Sequence, residues 1–454
     1  MQSNNQHSTS NFTGLHPRQR SSNFEIRTIL SVITGMNGLT IRQDTKLEPK
    51  VYILPEGITI DSDNVVLDGH GAIIMGADKT PGQGVKVFGR KNIVIKNLRI
   101  FNYYHGISIK QSRGIEISNC TITLTTEVQS NTLFLDIWKP AAEAYGGGIF
   151  LEQVTDAKIH DNDLQHQMNG VLTYQCKRLT VANNLANYCS GFGFHLFETS
   201  DSTYANNYAD YCCRYYLSGA SSHLGADAAG FLIIHGSCNN VFSRNFARLG
   251  GDGFFLAGLT PNGIDVGCNN NLFEENDASY SPNNAFEGVF SKGNTYQRNK
   301  ANHSNYGFWL GFSSDCTLKD NQIYHNRQAG IAVENGVNFN VLNNDIQNNT
   351  HGILLWTRSY DFLKTVPNMN ETSRNWLIER NKLLQNKKAI RIAANQDHGV
   401  RRLPIEQSLV SPHNHRIQNN EIRNNLIGIE LEDVKDTQMD QNSLENLVAN
   451  IAEI

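Results

Sequence analysis

Gly307-Phe308-Trp309-Leu310, Gly330-Ile331-Ala332-Val333 and Gly352-Ile353-Leu354-Leu355 repeat one phrase: a glycine, an apolar residue, any residue, a second apolar residue. Asn321 and Asn344 follow the first two glycines by 14 residues each. The phrase extends back through Ala285, Gly253, Gly230, Gly193, Gly170, Gly148 and Gly106, and forward through Ala389 and Gly428. Successive anchors differ by 42, 22, 23, 37, 23, 32, 22, 23, 22, 37 and 39, a base period of 22 to 23 with insertions. Short period-2 apolar runs cut by Gly and Asn, with no helical stripe between them, are strands joined by tight turns. A repeat of this length is one coil of a parallel solenoid, so the chain reads as all-β, with about a dozen coils.

Composition agrees with a solenoid that absorbs all 454 residues. Asparagine occurs 55 times, far above a share of roughly 4–5%. The series Asn97, Asn119, Asn162, Asn184, Asn207, Asn245, Asn276, Asn299, Asn321, Asn344, Asn381, Asn420 and Asn442 keeps the repeat. It fits a turn with left-handed backbone, which Asn tolerates, and stacking would align the amides into ladders. The net charge of −4 gives no basic field for nucleic acid or an anionic membrane surface. No apolar run of membrane-spanning length occurs, and the polar start Met1–Ser22 lacks the apolar core of a secretory signal. The chain therefore reads as cytoplasmic, or as exported with its signal removed. The eight cysteines form no CxxC pair and read as reduced apolar fillers.

The repeat, together with the entry phrase Asn64-Val65-Val66-Leu67-Asp68-Gly69-His70-Gly71-Ala72, resembles the right-handed parallel β-helix repeat family, the pectin-lyase-like superfamily that includes NosD-type proteins. The resemblance covers about residues 50–442 and implies a single-stranded right-handed parallel β-helix. That fold hosts lyases, hydrolases, epimerases, phage spikes and accessory factors, so it implies no one activity. Gly69-His70-Gly71 is similar to a polygalacturonase segment, but it sits in the entry coil, and the Asn-Thr-Asp motif is absent. So is the Asp-Pro-His motif of alginate epimerases, and no calcium-binding acid cluster with an Arg base, as in pectate lyases, can be assembled. The expected organisation is an N-terminal segment and cap over 1–47, the β-helix over 48–442 and a C-terminal cap over 443–454. In the last of these, Ser443 would cap a short helix or the chain would add a final half-coil.

The irregular gaps locate insertions at about 121–146 and 208–228, before the main strand, and at about 258–269, 357–375 and 394–413, after it. Loops then rise on both edges of one strand face, which becomes the floor of a cleft. With the residue after each anchor pointing inward, the outward positions are Ser108, Phe150, Leu172, His195, Leu232, Phe255, Glu287, Trp309, Ala332 and Leu354, and two residues further on Lys110, Glu152, Tyr174, Phe197, Ile234, Ala257, Val289, Gly311, Glu334 and Trp356. Such an apolar outward face is expected to be covered by loops or to bind something.

Aromatic faces beside carboxylates suit a saccharide, because sugar C–H faces pack on rings while acids bond hydroxyls or move protons. Asp252 and Glu287 fall on neighbouring coils, ~4.8 Å apart, within reach of a glycosidase carboxylate pair. Glu287, between Phe255 and Trp309, is the expected general acid. Asp252 is its partner base or nucleophile, and His195 and Asp227 stand in reserve. Trp309, Trp356, Phe255 and Glu334 on the floor, with Arg214, Tyr215 and Lys292 on the walls, are the candidate substrate contacts. No metal or cofactor is expected. These residues point to a carbohydrate-active enzyme, foremost a glycoside hydrolase. The alternatives are a polysaccharide lyase or epimerase, and a non-catalytic glycan-binding or accessory protein.

Overall fold

The computed structural model describes residues 31–76, 82–129, 133–218, 221–224, 228–359, 363–395 and 409–453. The chain winds as a parallel β-helix whose largest sheet has 16 strands, one per coil, from Gly38–Ile41 to Ala449–Glu453. A second side has 15 strands. The third side forms a five-stranded sheet at each end, joined across the middle by single bridges such as Tyr208↔Phe246 and Phe246↔Asp277. Sixteen coils exceed the expected dozen because the end coils carry the phrase only in part, as in Gly57-Ile58-Thr59-Ile60 and Ala449-Asn450-Ile451-Ala452.

Strands already pair from Val32 and Gly38 onward, inside the segment expected to cap the entry. At the exit, Ser443–Glu445 and Ala449–Glu453 are strands of a last coil and not a helix. Leu444 packs against the solenoid core, while Leu447 and Val448 lie exposed between the strands. Phe24 to Leu30, part of the expected entry cap, lies outside the described residues.

The repeat sets the packing in register. Residues one past each anchor fill the interior: Ile107, Ile149, Val171, Phe194, Phe231, Phe254, Phe286, Phe308, Ile331, Ile353, Ile390 and Ile429 all belong to one buried core. Between Phe194 and Phe308 the rings stack coil on coil, with centroids 4.7, 4.7, 5.0 and 4.9 Å apart. A second stack, Phe242, Phe273 and Tyr296, meets them edge to face. The anchor must be small, because a Cβ on Gly253 would stand 2.5 Å from the Ala285 carbonyl oxygen.

The asparagine series forms the ladder its spacing suggested, but by another mechanism. From Asn162 to Asn442 each side-chain amide donates to the carbonyl oxygen of the next, for example Asn184 to Asn207 at 3.0 Å and Asn299 to Asn321 at 3.1 Å. The same oxygen accepts the preceding backbone N–H, as in Asn276 to Asn299 at 3.0 Å. Left-handed backbone falls one residue earlier, at Asp161, Asn183, Asn206, Arg244, Glu275 and Arg298. Only Asn97 and Asn119 of the series adopt it themselves. Elsewhere Asn is placed for its amide, which satisfies backbone groups that the turn leaves unpaired.

Candidate functional site

The outward face of the 16-stranded sheet divides into a covered stretch and an open one. Phe150, Leu172, Tyr174, Phe197, Leu232 and Ile234 are buried in a cluster closed by Val128, Leu135, Ile137, Trp138, Ala144 and Tyr145. The closing residues all come from the 121–146 insertion. His195 lies within this stretch, 3% exposed, with Tyr174, Phe192 and Phe197 around its ring. Neither ring nitrogen has a hydrogen-bond partner, and burial pushes its pKa down to about 3. The expectation of His195 as a reserve base is thus corrected: it is sealed beneath the insertion, three coils from Glu287.

Arg214 is corrected for a related reason. It is 3% exposed, and its guanidinium donates to the carbonyl oxygens of Ser190 at 3.2 Å, Val128 at 3.4 Å, Gln129 at 3.3 Å and Leu133 at 3.0 Å. It fastens the 121–146 insertion to the solenoid and does not face a cleft. Tyr215 opens an antiparallel hairpin, Tyr215–Ser218 with Ser221–Leu224, inside the 208–228 insertion. Asp227 lies outside the described residues.

The open stretch begins at Phe255, which is half-buried at the edge of the covered cluster. Glu287, Val289, Tyr306 and Trp309 follow, all half-buried. Register places Phe255 opposite Glu287 and Glu287 opposite Trp309. Tyr306 meets Trp309 edge to face at 4.7 Å. Trp356 stands behind Trp309 at 5.5 Å and is buried, so it supports that ring and is not itself free for stacking. Lys292 is exposed outside the floor columns, beside a cavity of ≈120 Å³ shared with Asp265 and residues 366–370.

Asn284, one residue before its anchor, is the element the sequence reading missed. Its backbone N–H donates to Asp252 Oδ1 at 2.8 Å, and its side-chain Nδ2 donates to Glu287 Oε2 at 2.5 Å. The two acids on adjacent coils are therefore joined through one residue. Asp252 is 1% exposed, and burial with the neighbouring Glu287 charge holds its carboxyl well above the usual range. Burial also raises Glu287, to about 7, against the Asn284 hydrogen bond and aided by the charge of Glu334. Glu334 is itself buried and paired with Arg358 at 2.9 Å, so it reaches Glu287 through its charge and not as an open substrate contact. The signal for Asn284 was available. It occupies the same column as Asp252, one residue before the anchor.

This floor is an open shelf. A cavity of ≈560 Å³ lies further along, lined by Thr357, Arg358, Lys364, Asn368 and Val410 among others, and Arg358 on its wall pairs with Glu334. Among the described residues, no three His, Cys, Asp or Glu side chains converge as a metal site requires.

A family model described as "Right handed beta helix region" matches residues 56–247 and 256–365. No curated protein matches the chain. Among solved structures, the mannuronan C-5 epimerase AlgE6 A-module of Azotobacter vinelandii is 13% identical, with 92% of this chain and 91% of that chain covered and a TM-score of 0.42. A double mutant of the periplasmic alginate epimerase AlgG is 12% identical over 90% of this chain and 79% of its own, with a TM-score of 0.43. DFA-IIIase from Arthrobacter chlorophenolicus A6 is 14% identical over 61% and 72%, with a TM-score of 0.38.

Proposed function

The chain belongs to the right-handed β-helix family, and on that premise we propose that it is a carbohydrate-active enzyme, a glycoside hydrolase whose general acid is Glu287. The observation that carries this reading is the coupled pair on adjacent coils. Asn284 ties Asp252 to Glu287, and Glu287 is raised to about 7. A carboxyl protonated near neutrality can deliver its proton to a departing glycosidic oxygen, and a pKa close to the working pH is the efficient choice. Phe255, Tyr306 and Trp309 supply half-exposed apolar surface on either side for sugar faces. Asp252, buried beside it, has its own carboxyl held above the usual range by burial and the Glu287 charge, and becomes the partner base only if the shelf deforms on binding.

That burial favours a second reading. With one carboxyl at the surface and its partner 1% exposed, the same shelf would hold a glycan without turnover. Product analysis on neutral and uronic polysaccharides separates the readings. New reducing ends without ultraviolet absorbance indicate a hydrolase, and an unsaturated product indicates a lyase. Retention without product indicates a binding protein and removes the catalytic assignment.

A further inference from the structure

The open stretch sets two acids and one amide among aromatic and apolar residues. On the coils anchored at Gly253, Ala285 and Gly307, its outward positions are Asp252, Phe255, Ala257, Asn284, Glu287, Val289, Tyr306, Trp309 and Gly311. No basic side chain stands among them. Arg358, which approaches from the next wall, is already held by Glu334. Asn284 is 4% exposed, and its Oδ1 has no hydrogen-bond partner although its backbone N–H and side-chain Nδ2 hold the acids. An orphaned buried acceptor between two carboxyl groups asks for donors from whatever binds there.

Resting on the glycan reading above, we infer that this shelf takes sugar units that bring hydroxyl or ammonium donors and no carboxylate, and that it discriminates against polyuronates. A hydroxyl can donate to Asn284 Oδ1 and to an ionised Glu287. A uronate carboxylate can donate to neither, and it would set a second negative charge beside an ionised Glu287, with no Arg or Lys among the outward positions of these coils to receive it. Like charges about 6 Å apart at an intermediate dielectric weaken binding by roughly tenfold or more.

The test is titration calorimetry of the full chain at pH 8 and low salt, above the value to which burial raises Glu287. The probes are β-1,4-glucohexaose, a chitosan hexamer, hexagalacturonate and hexamannuronate. The expected result is binding of a neutral or amino hexamer at least ~10-fold tighter than either uronate, with the gap narrowing as salt screens it. Glu287→Gln, which keeps the shape and removes the charge, should narrow the gap several-fold. Asn284→Ala should weaken the preferred hexamer while a thermal melt confirms folding. Equal or tighter binding of a uronate overturns the inference, as does a gap unmoved by both salt and Glu287→Gln. A neutral hexamer that binds and is never cleaved leaves the inference standing and removes the hydrolase reading. Cleavage of a uronate as the preferred probe does the reverse, and binding of no probe removes both.

Discussion

The covered and open stretches of the floor are built from the same repeat, yet they hold ionisable groups in opposite ways. In the covered stretch, apolar residues of the 121–146 insertion close over His195 and leave it neutral and unpartnered. In the open stretch no such insertion covers Glu287 among the described residues, and burial raises its pKa to about 7, with Asn284 tying it to Asp252. A buried base without a partner only costs stability. A half-buried acid raised to about 7 is held where the proposed proton transfer needs it. The insertion, and not the repeat, decides which outcome a given coil reaches.

The largest expected effect tests the open stretch. Glu287→Gln should lower turnover on the best substrate by about 10²–10⁴-fold with little change in the melt. His195→Leu, in the same column on a covered coil, should leave turnover within a few-fold. Equal losses in the two variants would erase the distinction between the stretches.

The next effect tests the cover. Arg214→Ala removes a buried cation that binds four carbonyl oxygens across the insertion and the solenoid. Bonds to a charged donor contribute about 1.5–3 kcal/mol each when measured singly, and the orphaned carbonyls regain water once the insertion lifts. A local loss of about 2–4 kcal/mol is expected. Limited proteolysis should then cut within 121–146 while the sheets stay protected from hydrogen exchange. A global loss of protection would mean that the insertion is part of the solenoid's own stability.

The two stretches should also part in their pH dependence. His195 has a folded pKa of about 3 against an ordinary value near 6.5. Its contribution to stability is therefore complete above ~6.5 and is lost as pH falls toward 3, by up to ~1.4 kcal/mol per pH unit. His105 and His351, both lowered to about 4 by burial, act in the same window. His195→Leu should flatten the acid limb of a stability profile without abolishing it. Glu287 has the opposite sign. Its folded pKa of about 7 lies above the ordinary 4.5, so its contribution is complete below ~4.5 and is lost as pH rises through 7. Glu287→Gln should therefore be more stable than the parent at pH 8, by ~2 kcal/mol after allowing for partial exposure. A stabilised, inactive variant is the expected cost of holding a carboxyl out of its ordinary range.

What the sequence made legible follows from what repeats. Interior positions, outward columns and the placement of insertions recur every 22 to 23 residues, and the buried core and the covered cluster follow them residue by residue. Which outward residues would be covered was not legible, because it depends on where a loop lands. His195 and Trp356 looked like cleft residues by column, and Arg214 by its place in a wall insertion, yet all three are buried. Asn284 was hidden for a different reason: among 55 asparagines, one more looks structural. Its spacing separates it, since it precedes an anchor by one residue, while the ladder asparagines follow theirs by 13 to 15 residues wherever no insertion intervenes.

The smallest expected effect uses that ladder as a control, because it runs unbroken beneath both stretches. Asn184 lies under covered coils, and Asn299 under open ones. Each donates to the next amide and to a backbone carbonyl, Ile159 for the first and Phe273 for the second, both at 2.9 Å. Each also accepts the preceding rung's backbone N–H, at 3.2 Å from Asn162 and 3.0 Å from Asn276. Substitution by Ala orphans the same set of buried groups at either site, so each should lose about 1–3 kcal/mol. The two losses should agree within ~0.5 kcal/mol. Turnover should be untouched in both, since the stacked rings from Phe254 to Phe308 stand between the ladder and the floor. If Asn299→Ala depresses turnover while Asn184→Ala does not, the ladder positions the open shelf as well as closing the coils. The contrast between the stretches would then begin in the core and not at the insertion.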